Sequence, residues 1–201
     1  MNPNILSPKK AVQSAFEKPS IGLALALVLV SAVVWILQNY LITGKLDAGA
    51  SVLAIALSFV AFFIFVLIIL VLGFLLNRSA IRGKFTGLVS GLSLLQIIMI
   101  VIYLLSAVAF TLAIPPDAAA ELNAVEGNYF TTAVKVRQIL EQNADAINFT
   151  AISGFLAAAA LVGLYGFYIL FLIARKFTET GILGSLLMSL VAVVIAAIFG
   201  F

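Results

Sequence analysis

Residues 51–76 read SVLAIALSFVAFFIFVLIILVLGFLL, a run without one charged side chain whose only polar members are Ser51 and Ser58. At about 1.5 Å of rise per residue, an α-helix of that length reaches roughly 39 Å, more than the ~30 Å hydrocarbon core of a bilayer. Apolar and polar residues do not alternate along it, so it is not a barrel strand, and it has no polar face to turn toward water. It reads as a membrane-spanning helix.

Working outward, four more apolar segments repeat the pattern, at 20–42, 87–114, 149–174 and 181–201. The third is closed by Pro115-Pro116 and the last is the shortest. Across the 201 residues, 64% are hydrophobic and 9% charged, with a mean hydropathy of +1.26. Soluble domains average about 45–50% and 25%, so this chain has too little charge to coat a water-soluble fold, and its apolar content excludes disorder. The expected fold is an all-α integral membrane protein: a five-transmembrane-helix bundle with short amphipathic helices outside the spans. Residues 1–19 form a cytoplasmic amphipathic segment. Residues 20–201 form a single membrane domain with an outer loop at 115–148.

Charge sets the expected orientation. Lys9, Lys10 and Lys18 precede the first span, Arg78, Arg82 and Lys84 follow the second, and Arg175 and Lys176 follow the fourth. Only Lys45, Lys135 and Arg137 fall on the other side, with Asp47, Asp117, Glu121, Glu126, Glu141 and Asp145. The positive-inside rule then places the N-terminus in the cytoplasm and the C-terminus outside, as an odd number of spans requires. Trp35, Gln38, Asn39 and Tyr40 suit the outer interface, where amphipathic side chains meet headgroups.

Outside the spans, Ser7-Pro8 is a helix start and Pro19 a stop. Between them Ala11, Val12, Ala15 and Phe16 share one face and Lys10, Gln13, Ser14 and Glu17 the other. A helix lying on the cytoplasmic leaflet is the plain reading, and docking onto a partner the sharper one. In the outer loop Asp117 is expected to cap a short helix over 118–125, ended by Gly127, with a second helix over about 131–146. Asn148-Phe149-Thr150 matches a glycosylation acceptor but lies at the mouth of a span, where a chance match is the simpler account.

The chemistry is narrowed by absence. Without cysteine there is no thiolate, disulfide or iron–sulfur ligand, and without histidine the commonest general base and metal ligand are missing. No Asp, Glu, Lys or Arg lies within an expected span, which argues against proton relays and intramembrane aspartyl catalysis. Phosphate-binding loops and metalloprotease motifs are missing too, and the net charge of +3 is too scattered to engage nucleic acid. The expectation is a protein that is not an enzyme, with no cofactor, no bound metal and no nucleic-acid partner. Its partners are the bilayer, other membrane proteins or its own copies.

The candidate intramembrane positions are polar or small. Gln96 shares a face with Ser93 and Tyr103, and Gly87 and Gly91 form a small-xxx-small pair on the opposite face. In the fourth span Tyr165 and Tyr168 lie on one face and Gly163 on the other. Gln96 is expected to bond a hydroxyl of the fourth or fifth span; lining a cavity is the functional alternative. Small-residue rows let helix backbones approach, within one bundle or between subunits.

Ser7-Pro8-Lys9-Lys10-Ala11, Phe16-Glu17-Lys18-Pro19, Leu164-Tyr165-Gly166-Phe167-Tyr168 and Arg175-Lys176-Phe177-Thr178-Glu179-Thr180-Gly181, set in a five-span layout, resemble the Yip domain family of Ypt-interacting proteins. The resemblance covers nearly the whole chain through layout and loose patterns. It implies a non-catalytic multi-span protein, a scaffold or adaptor for membrane proteins or membrane organisation. Eukaryotic members are linked to Rab-type GTPases and traffic between ER and Golgi. This chain lacks their long hydrophilic N-terminal region and Asp-Leu-x-Gly-Pro motif. The likeness is therefore to a prokaryotic-type member in a cell membrane, and GTPase binding does not carry over with it. The competing expectation is a small transporter or channel for a neutral or lipidic solute, using the Gln96 stripe and the tyrosines of the fourth span.

Overall fold

A computed structural model describes residues 6–44, 46–125, 135, 138, 139 and 141–199. It is helical throughout, with no strand among the described residues. The long elements are α2 (Ile21–Thr43), α3 (Ala48–Asn77), α5 (Leu94–Ala113) and α7 (Phe149–Thr178). Shorter ones are α1 (Pro8–Glu17), α4 (Phe85–Leu92), α6 (Pro116–Asn123), a 3-10 turn at Ala144–Ala146 and α8 (Ile182–Phe199).

Local chemistry sets the ends of the long helices. The Ser20 hydroxyl accepts from the Leu23 amide to start α2, and Gly44 closes that helix with φ of 65°. The Asp47 carboxylate accepts from Ala50 N–H at 2.7 Å to start α3. The Asn148 side chain accepts from Ala151 N–H at 3.1 Å to start α7. Asn148 of the would-be glycosylation site is thus a helix cap, and its own N–H donates to Ala113 O at 3.0 Å.

Four helices are long and apolar enough to cross a membrane: Ile21–Ile42, Ala48–Asn77, Phe85–Ala113 and Phe149–Thr178. The last apolar helix, 18 residues long, is shorter than these. The outward surface agrees with a lipid environment. Leu41, Leu53, Leu75, Leu112, Leu161, Leu164 and Leu183 are each more than half exposed, a coat that water would not tolerate. The chain is an all-α, multi-pass membrane protein.

Burial is lopsided. One end of the bundle is sealed by Ala15, Leu88, Ile69, Ile173, Ala174 and Phe177, all at 0% exposure. That end gathers α1, the 78–84 connection, α4, the last turns of α7 and the start of α8. The opposite end carries α6 and the described part of the 115–148 loop.

Several expectations need correction. The third span, Phe85–Ala113, is interrupted within its length: α4 and α5 meet at Ser93, whose hydroxyl donates to Ser90 O at 2.9 Å while Gln96 N–H reaches only three residues back, to Ser93 O. Ser–Gly-rich turns loosen the helical ladder in this way. The fourth span runs on to Thr178. Asp117 sits in the first turn of α6, with Pro115 at the N-cap, so its charge favours the helix N-terminus without capping it. Ser7 makes no side-chain capping bond. Residues 138, 139, 141 and 142 are helical, but that helix stops at Asn143 and gives way to the 3-10 turn; most of 131–140, and Gly127, lie outside the described residues. The apolar face of α1 is turned into the bundle. Its Ala11, Val12 and Ala15 are buried against α4 and α7 because glycines there leave room for it.

Candidate functional site

A cavity of about 440 Å³ opens between α2, α3 and α5, touched by Ala196 of α8. Its polar lining comes from Ser31 on α2, Ser58 on α3, and Gln96 and Tyr103 on α5. Seven residues separate Gln96 and Tyr103, two helical turns, so both fall on the cavity side of α5. The remaining walls are apolar or aromatic. Trp35 and Leu57 stand at the rim, 39% and 55% exposed. Phe62 and Leu92 form the base, at 4% and 1%. Beyond them Val66, Ile69 and Leu88 continue the sealed core. The cavity is therefore blind toward the α1 end and open at its side.

Gln96 differs from its expected role. Of the hydroxyls that line the cavity with it, those of Ser31 and Ser58 belong to the first and second spans and that of Tyr103 to its own helix, none to the fourth or fifth, and its amide makes no hydrogen bond among the described residues. Ser58 is already engaged, donating to Ala54 O at 2.9 Å. Ser93 shares the Gln96 face in sequence but is fully buried, and its hydroxyl is spent on Ser90 O. The cavity thus brings Gln96 and Tyr103 together and leaves Ser93 behind.

The small residues divide between two surroundings. A Cβ on Gly87 would come within 2.7 Å of the Phe16 ring, and one on Gly91 within 3.3 Å of Phe16 and 3.5 Å of Ile173. Gly87 therefore seats α1, and Gly91 meets both α1 and α7. Gly163 faces open space, with nothing within 4 Å of an added Cβ. Its neighbour one turn on, Gly166, takes the close approach instead, 3.1 Å from Ile98 of α5. Tyr168 is 37% exposed and Tyr165 half-buried, and neither lines the cavity.

Two polar assemblies escaped the sequence reading. Gln38 donates to Ser106 at 3.0 Å across the α2–α5 contact, while its Oε1 is buried without a partner among the described residues. Lys84 donates to the carbonyls of Lys176 and Phe177, at 3.4 and 3.3 Å, and pairs with Glu179, while Asn77 donates to Thr178 O at 2.9 Å. A cation and an amide so placed satisfy carbonyls that the end of α7 leaves free. The hydrogen bond from Lys84, with its charge, holds the Glu179 carboxyl below the usual carboxylate range. Nearby, the hydroxyls of Thr178, Thr180 and Ser185 run in sequence at 2.7 and 3.2 Å, tying the end of α7 to the start of α8. The only sequence signal for Lys84 was its place in a basic connection, which reads equally well as topology.

Among the described residues no three side chains able to ligate a metal come together. Comparison with protein-family models, with curated proteins and with solved structures finds no match.

Proposed function

We propose that this is a five-span, non-catalytic membrane protein of Yip-like layout that serves as a scaffold or adaptor for other membrane proteins. α8 is the fifth span: 18 residues at about 1.5 Å each reach roughly 27 Å, near the thickness of a thin bilayer core. The observation that carries the reading is the state of α1. Its apolar face is used up inside the bundle, so Lys9, Lys10, Gln13, Glu17 and Lys18 remain as a fixed exposed face. Arg78, Arg82, Arg175 and Lys176 are exposed at the same end. A rigid basic platform beside the membrane suits the acidic surface of a partner, with the N-terminus in the cytoplasm.

The test is a photo-crosslinking amino acid at Gln13 in cells. Discrete adducts with a membrane protein that vanish in a Lys9→Glu/Lys10→Glu variant of unchanged thermal stability are expected; adducts with lipid alone would overturn the reading. Orientation is checked separately by a cysteine at Ser79, which a membrane-impermeant reagent should fail to label in intact cells.

A carrier or channel for a neutral or lipidic solute is the second reading, favoured by the intramembrane cavity. The closed base at Phe62 and Leu92 weighs against a path through the bundle.

A further inference from the structure

We infer that the cavity between α2, α3 and α5 is a binding site for an uncharged single-chain lipid whose head carries a hydroxyl, ester or amide group. The inference does not rest on the scaffold reading; either can stand alone.

Four observations converge on that ligand class. The Gln96 amide lies at membrane depth, in a cavity, with no hydrogen-bond partner among the described residues. In hydrocarbon, where no water replaces the missing bond, an unsatisfied amide is costly, so an occupant that bonds it is favoured. An amide both donates and accepts, which matches hydroxyl, ester and amide heads equally. No charged side chain lines the cavity, so an ionised head would enter without a counter-charge.

Size and access complete the description. About 440 Å³ lies at the small end of the range of small-molecule pockets and leaves no room for a two-chain phospholipid. The exposed rim at Trp35 and Leu57 faces sideways, where a molecule already dissolved in the bilayer can enter without crossing water. Beyond Phe62 and Leu92 there is no continuation, so the ligand is held rather than passed on.

The experiment uses the full chain in mild detergent with a monoacylglycerol bearing a diazirine in its chain. Labelling should saturate, map to peptides of α2, α3 and α5, and be competed by unmodified monoacylglycerol. A matching diazirine probe with a sulfonate head, ionised throughout the working pH range, should label at least tenfold less. Gln96→Leu should lower labelling about tenfold at subsaturating probe, the effect of losing one buried hydrogen bond. Ala61→Phe, which fills the cavity with a larger apolar side chain, should abolish labelling while the thermal midpoint holds or rises. The monoacylglycerol should raise the midpoint of the wild-type chain and leave that of Ala61→Phe unchanged. Equal labelling by the ionised probe, labelling unaffected by Ala61→Phe, or adducts mapped to the outer faces of α7 and α8 would each overturn the inference.

Discussion

Phe16 lies across Gly87 so closely that a Cβ built on the glycine would meet the ring at 2.7 Å and the Phe16 backbone at 3.2 Å. The ring can rotate, but the backbone cannot yield without moving α1. Gly87→Leu should therefore eject α1 from its seat. A cysteine at Ala15, at 0% exposure in the native packing, should change from protected to rapidly labelled in that variant. Phe16→Ala should loosen α1 without a clash, at a cost of order 2 kcal/mol for a half-buried ring. Protection of the Ala15 position in Gly87→Leu would show that α1 is held elsewhere.

Gly73 and Gly163 predict opposite results for the same substitution. A Cβ on Gly73 would stand 2.5 Å from the Phe177 ring, which is fully buried and has nowhere to go. Gly73→Ala should cost about 1–3 kcal/mol through overpacking. At Gly163 the added methyl meets nothing, so Gly163→Ala should be neutral or stabilise the helix by up to about 1 kcal/mol. Unfolding of the two variants in mixed micelles gives the comparison.

The Lys84–Glu179 pair makes a prediction about acid. Glu179 has a lowered pKa in the folded protein, so its contribution is present at neutral pH and is lost as pH falls through that lowered value. Both partners retain solvent contact, so the effect is small. Glu179→Gln should abolish this one component of the acid-side loss of stability. Thermal midpoints of the two proteins, followed from neutral to acidic pH, should differ at neutral pH and converge as pH falls. A constant difference across the range would show that the pair contributes no linkage.

Gln38 and Ser106 form a coupled pair with one unsatisfied atom. Ser106→Ala removes the hydroxyl that Gln38 uses, leaving the whole amide without this partner, and should cost about 1 kcal/mol. Replacing both, as Gln38→Leu/Ser106→Ala, removes the orphaned Oε1 as well and should recover most of that loss. A double-mutant cycle on unfolding free energies measures the coupling, and strict additivity would mean the bond contributes nothing.

The contrast between Gly163 and Gly166 shows where sequence reading stops. Uncharged runs and Pro-bounded turns were enough to place the long helices, because length and hydropathy are properties of one segment at a time. Glycines at helical spacing say only that a backbone can be approached. In lipid both faces of a helix are apolar, so pattern alone cannot tell whether Ile98, Phe16 or an acyl chain does the approaching. Gln96 suffered from the same limit. Its depth was legible, but the partnerless amide depends on where α2 and α3 stand. Gln38 was assigned to the interface by its polar neighbours Asn39 and Tyr40, and only packing turned it toward Ser106.

The seating of α1 also bears on how the chain is made. Pro8–Glu17 is synthesised before the spans, yet the surfaces that bury it belong to α4 and to the far end of α7, roughly seventy to more than one hundred and fifty residues later. During translation this segment has no native place to go while the apolar face of Ala11, Val12, Ala15 and Phe16 remains uncovered. Among the described helices α1 is made first, yet its seat exists only once α7 has been made. Its docking waits on the last turns of α7, and a chain stalled before α7 would display the unburied face to whatever quality-control machinery reads apolar helices.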